Sequence, residues 1–112
     1  MEFGLFVEFP SREGTTQAQI FKDSMELIEA AEESGSEGIW LAEYHFDPGR
    51  SVLSAPVTVA GAVAARTKRV KIGLAVHVLP LRNPIQIAEE IATLDHLSNG
   101  RLDFGVSRAA FP

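Results

Sequence analysis

Four apolar runs whose starts recur at intervals of about thirty residues limit the folds open to this chain more than any other feature. They read EFGLFVEF at 2–9, GIWLAEY at 38–44, RVKIGLAVHVL at 69–79 and RLDFGVS at 101–107. Each is rich in Phe, Ile, Val or Leu and gives way to loop chemistry, as a short strand does. Three helical patterns separate them. In the first, Thr16 and Gln19 make a T-x-x-Q capping box, Phe21, Ser24, Ile28 and Ala31 share one face, and Gly35 stops the helix. The second opens near Ser54–Pro56 and runs through small residues to Lys68. The third has Asn83 as cap, Pro84 at its first position and Gln86 at its third. Its buried stripe is Ile87, Ile91, Leu94 and Leu97, ended by Ser98–Gly100. The order β-α-β-α-β-α-β at this spacing requires parallel strands with right-handed crossovers. The predicted fold class is α/β.

Two architectures fit that order: an open doubly wound sheet and part of a (β/α)8 barrel. The first turn, EFPSREGTTQ, lacks the G-x-G-x-x-G of a dinucleotide-binding sheet. Gly4, Gly73 and Gly105 fall inside strands, where a barrel needs small residues on its crowded inner face. The barrel reading gains, yet a barrel takes roughly 200 residues or more, and this chain of 112 holds about half of one.

Composition narrows the partners. With 46% hydrophobic and 22% charged residues the chain reads as a soluble globular domain. A net charge of -5 disfavours nucleic acid, which calls for a basic surface. The one basic run, RTKRVK at 66–71, reads as a helix C-terminus whose cations complement the dipole. Without cysteine there is neither a disulfide framework nor a thiolate site. The N-terminus has no signal-peptide pattern, and SAPVTVAGAVAA is too short to cross a bilayer. A cytoplasmic protein with no membrane partner is the expectation.

In either architecture, sites form where parallel strands end. Those ends deliver Glu8 and Phe9, then Glu43, Tyr44 and His45, then Ala75, Val76 and His77, and finally Ser107 and Arg108. Alternation along the third strand puts Val70, Ile72, Leu74 and Val76 toward the helices, and Gly73, Ala75 and His77 toward the barrel axis. A flat ligand over Gly73, Ala75 and Gly105 would meet little obstruction. Glu43 and His45 alone do not make a metal site, since no third ligand accompanies them, and no metal is predicted. His45 also reads as a hydrogen-bonded structural histidine. His77 is as readily structural as functional, and His96 beside Asp95 is a packing or surface residue. Arg108 suits an anion, or a solvent salt bridge worth little.

With those residues in hand, the chain resembles the luciferase-like flavin monooxygenase family. LAEYHF and VKIGLAVHVLPLRNPIQIAEEIATLDHLSNGRLDFGVSR carry the likeness. It implies that residues 1–112 form the N-terminal half of a (β/α)8 barrel binding reduced flavin mononucleotide, or in some branches a deazaflavin. It also implies oxidation of a small organic substrate with dioxygen, a separate flavin reductase, and a cofactor that carries the oxygen chemistry. Carried over by position, His45 and Tyr44 stand at the catalytic places, and Glu43, Ala75, Val76, Ser107 and Arg108 at cofactor-binding ones. Arg108 matches an arginine that reaches the flavin phosphate. Ala75–Val76 matches a place where members often hold a cis peptide under the flavin ring, and Ser107 the position of a flavin-side cysteine. Two departures stand out. Tyr44 replaces a histidine, and a phenol with a pKa near 10 does not shuttle protons at neutral pH as an imidazole does. Ala109 stands where a glycine is usual.

A half-barrel leaves its first and fourth strands as open edges. The expectation is therefore a piece of a longer enzyme, inactive alone, or a chain that pairs with a second copy. The resemblance implies a homodimer packed through the small residues of Ala55–Ala65. Two further readings stay open: a non-catalytic flavin-binding or assembly unit, and a deazaflavin-dependent reductase.

Overall fold

All four apolar runs become strands, and every pairing between them is parallel. The computed structural model describes residues 1–109. Strands β1 (Gly4–Val7), β2 (Gly38–Leu41), β3 (Lys71–Val78) and β4 (Leu102–Ser107) form one sheet in the order β1-β2-β3-β4. Helices α1 (Gln17–Glu33), α2 (Pro56–Arg66) and α3 (Pro84–Leu97) make the crossovers, with one 3-10 turn at Leu79–Leu81. Strand order follows chain order without the reversal of a doubly wound sheet, as in the wall of a (β/α)8 barrel. The register aligns Val7, Leu41, Leu74 and Phe104 across the sheet, so the residues that follow all emerge on one rim.

One face of the sheet is buried by the helices. Val7, Ile39, Leu41, Ile72 and Leu74 pack against Ile20, Met25 and Ile28 of α1 and against Val59, Ala60 and Val63 of α2. Each fully buried Ile or Leu contributes about 1.5–3 kcal/mol. The third helix departs from its expected stripe. Ile87 and Leu94 are buried and Ile91 partly so, but Leu97 is exposed. The capping box on α1 is half made: Thr16 Oγ1 accepts from the Gln19 amide at 3.2 Å, while the Gln19 side chain turns forward to Asp23. On α3, Asn83 Oδ1 accepts from both Ile85 and Gln86 amides, as a cap should.

The other face of the sheet corrects two expectations. A Cβ on Gly73 would lie 2.0 Å from the Trp40 ring, so this glycine clears space for the indole rather than for a ligand. A Cβ on Gly105 would lie 2.4 Å from the Leu74 carbonyl oxygen, so this one permits close approach of β3 and β4. Of the supposed platform, Ala75 lines the cavity at the strand ends, and Gly73 and Gly105 do not. Alternation also fails near the end of β3. The register shifts between Leu74 and His77, and within that interval the Ala75–Val76 peptide is cis. Beyond it Val76 is exposed toward the cavity, whereas His77 is fully buried against Phe104, their rings 5.8 Å apart. Both placements reverse those expected from an uninterrupted alternation.

Two charged side chains tie the helices to the strands. Arg101, just before β4, donates to the carbonyls of Ala64, Thr67, Ser98 and Val70 and to Thr67 Oγ1. It closes the C-terminus of α2, where Arg66 of RTKRVK stands in the last turn as expected and also pairs with Glu29 of α1. Glu32 of α1 accepts the amides of Lys68, Arg69 and Val70 at 2.8–3.2 Å, fixing the chain as it enters β3. Burial alone would raise its pKa, but those three amides and the charge of Arg101 together hold it below the usual carboxylate range. No helix among the described residues is long and apolar enough to cross a membrane.

A depressed carboxylate stabilises the fold above its ordinary range and loses that contribution as pH falls through its folded value. Glu32→Gln is expected to cost about 1–2 kcal/mol at neutral pH and to shrink the loss of stability on acidification. Urea unfolding at neutral and at acid pH measures both.

Candidate functional site

The rim begins with a clamp between two loops. Past β1 the chain forms an antiparallel bridge, Pro10 to Ser51, and the Ser51 hydroxyl donates to the Glu8 carbonyl. The Tyr44 amide donates to the Leu53 carbonyl at 2.9 Å, and Leu53 is fully buried. These bonds bring Glu8 and Tyr44 together and fold the Asp47-Pro48-Gly49 turn back over them.

A charged triad results. The Tyr44 hydroxyl donates to Glu8 Oε1 at 2.5 Å and accepts from Arg50 Nη2 at 2.7 Å, while the same Arg50 nitrogen lies 3.2 Å from Glu8. The Arg50 guanidinium also stacks on the phenol, 4.5 Å from its centroid. The hydrogen bond from Tyr44, then that from Arg50, lowers the Glu8 pKa. The bond to Glu8, with burial, raises that of Tyr44. The phenol donates its proton to Glu8, and Tyr44 holds this corner of the rim.

A second group lies beside it. Glu43 is buried, its side chain 2% exposed, and its Oε1 accepts from His45 Nε2 at 2.6 Å. Its Oε2 accepts the Val78 amide at 3.1 Å and lies 3.0 Å from His77 Nδ1. The His45 side chain is 20% exposed. Here an imidazole is oriented by a buried acid, with its Nδ1 unengaged by that acid. That arrangement suits general acid–base work.

Both groups border one cavity of about 540 Å³, within the usual size range for small-molecule sites. Glu43, Tyr44, His45, Ala75, Val76 and Ser107 all line it, joined by Phe6, Ala42, Asp47, Arg50, Val78 and Ala109. Six of the seven site residues read from the sequence therefore converge; Arg108 is exposed and is not among the lining residues. Ser107 Oγ accepts the Ala109 amide at 2.9 Å, which turns the chain at the rim. Ala109 adopts φ 67°, in the left-handed region that favours glycine. Arg50 and the pairing of Glu8 escaped the sequence reading. The only local signal was the Asp-Pro-Gly turn, which returns Arg50 to a tyrosine six residues earlier.

The lining suits a flat, partly apolar group such as a flavin ring. Ala75 and Val76 are small and apolar, and Phe6 is half exposed in the same cavity, while Arg108, outside the lining, follows β4.

Comparison with known proteins follows the same line. The family model described as luciferase-like monooxygenase matches residues 1–112. The oxygenase component of the flavin-dependent trigonelline monooxygenase of Acinetobacter baylyi is 35% identical over 112 residues, 99% of this chain and 31% of that protein. Among solved structures, the oxygenating constituent of 3,6-diketocamphane monooxygenase from Pseudomonas putida, in complex with FMN, superposes with a TM-score of 0.92 at 26% identity. It is matched over 100% of this chain and 30% of its own. The coenzyme F420 dependent tetrahydromethanopterin reductase of Methanopyrus kandleri superposes with a TM-score of 0.71 at 26% identity, over 94% of this chain and 26% of its own. The chain spans about a third of the length of the curated relatives it matches, less than the half that four strands of eight suggested.

The Glu8 contribution to stability is present above the ordinary carboxylate range and vanishes as pH falls through its lowered value. Tyr44→Phe removes the first cause of that lowering. Acid unfolding followed by circular dichroism should then begin at higher pH than in the parent chain.

Proposed function

The chain belongs to the luciferase-like monooxygenase family, and we propose that it supplies the N-terminal, cofactor-facing part of a flavin-dependent monooxygenase. In this reading the enzyme uses reduced flavin mononucleotide and dioxygen to oxidise a small organic substrate. The observation that carries the proposal is the convergence of Glu43, Tyr44, His45, Ala75, Val76 and Ser107 on one cavity. When bound, the reduced flavin supplies the electrons and activates the oxygen. The chain's own residues bind, orient and move protons. Ala75 and Val76 form a shelf for the ring. Arg108 meets the phosphate, where a permanently charged fork is apt. Ser107 keeps the turn at Ala109 in place. His45, oriented by Glu43, gives or takes a proton at Nδ1, and Tyr44 holds the rim through Glu8 and Arg50.

A relative named as an oxygenase component supports a separate flavin reductase as partner. Self-association fits a groove of about 560 Å³ between α2 and α3, floored by Gly61 and flanked by Val57, Leu94 and the exposed Leu97. The sheet keeps two open edges, and Phe6, Phe104 and Val106 are uncovered. The chain alone is therefore a binding unit without turnover. A second cofactor reading, a deazaflavin, is favoured by the F420-dependent neighbour.

Titrations of the chain with reduced flavin mononucleotide and with F420, each followed by an oxygen-uptake assay, separate these readings. Tighter binding of flavin mononucleotide is expected, weakened about tenfold by Arg108→Ala, with no oxygen uptake by the isolated chain. Preferential binding of F420 would favour a reductase. Flavin-dependent oxidation by a monodisperse monomer would overturn the view of the chain as an incomplete unit.

A further inference from the structure

Behind the cavity lies a buried histidine that the proposed chemistry does not use. His77 is 1% exposed at its side chain and sits 3.0 Å from Glu43 Oε2 through Nδ1. That approach is close enough for an ion pair but misaligned for a hydrogen bond, and neither ring nitrogen has a hydrogen-bond partner among the described residues. A buried polar group left without a partner is unfavourable. Packing beside Phe104 would be served as well by an apolar side chain of similar size. The position calls for a reason other than shape.

Glu43 provides one. This carboxylate, 2% exposed, is held by His45 Nε2 on one oxygen and by the Val78 amide and His77 on the other. A buried carboxylate is tolerated when a cation balances it. Arg82, which borders a neighbouring cavity with Glu43 and His45, is turned to Glu90 at 3.5 Å. Arg50 is engaged with Glu8, and Asp47 across the cavity is itself an acid. From β4, Phe104 brings no charge. The groups placed to balance this carboxylate are the two imidazoles, at 2.6 and 3.0 Å.

We propose that His45, Glu43 and His77 form one proton-sharing unit in which His77 is a positioning residue, competing with His45 for the single buried carboxylate and thereby setting the charge of the ring that faces the cavity. One carboxylate supports one imidazolium well and two poorly, because the second is a like charge in a dry site. A proton on His77 frees His45 to be neutral and to accept a proton from the cavity. Its departure makes His45 the counterion of Glu43 and a donor. The inference rests on the reading of His45 as the proton-handling group, but its test does not need a flavin.

Only three histidines occur in the chain, His45, His77 and His96, so their ring resonances can be followed individually by NMR across pH, with His96 on α3 as reference. In the native chain His45 and His77 are expected to titrate as a coupled pair, each curve departing from a single-proton shape. His77→Asn keeps a donor but cannot be charged, and His77→Leu keeps neither. Both are expected to raise the His45 midpoint by about one pH unit, a tenfold change in proton affinity, and to leave His96 unmoved. Independent single-proton curves for the two rings in the native chain would overturn the proposal. So would an unmoved His45 in the folded Asn variant. If His45 shifts as expected but the chain binds no flavin, the proton-sharing unit stands and the flavin reading fails. The converse result sinks only the unit.

Discussion

Every group in the cavity owes its place to the parallel register that sets Val7, Leu41, Leu74 and Phe104 in a row. Backbone hydrogen bonds fix that row, and burial of alternate Ile, Leu and Val side chains against α1 and α2 makes any one-residue slip costly, since a slip would turn the apolar set outward. Glu43, Ala75 and Ser107 need no contact with one another to share a wall. They share it because each follows by one to three residues a position, Leu41, Leu74 or Phe104, that the register sets level.

On that rim the protein separates two kinds of polar work. The Glu8–Tyr44–Arg50 group is a closed circuit, each member satisfied by the other two, and it stiffens the mouth. The Glu43 group is open at one end. Its acid is sealed in the wall, while one imidazole looks into the cavity and the other into the apolar layer. Adjacent residues of one segment, Glu43, Tyr44 and His45, thus serve different purposes, because β2 has already ended at Leu41 and successive side chains leave in different directions.

How much of this was legible depended on how local the cause was. The cap at Asn83–Pro84 and the strand spacing are written in contiguous residues and were read correctly. Alternation through β3 was read as uninterrupted, so it placed His77 and Val76 on the wrong sides; a register shift between strands leaves no mark in a single sequence. The role of Gly73 was misassigned because its neighbour is the Trp40 ring on another strand. Arg50 meets Glu8 across 42 positions, beyond any periodic pattern. Residues Ala110–Pro112 lie outside the described structure.

Arg101 has an implication for how the molecule assembles. The terminal carbonyls of α2 at Ala64 and Thr67 find their donor in a residue at the threshold of the last strand. The second crossover is therefore finished by material synthesised well after it, and a product truncated before that arginine would carry a frayed helix end. Successive strand–helix–strand repeats are thus bolted together by charged side chains, Arg101 here and Glu32 at the entry to β3, as well as stacked.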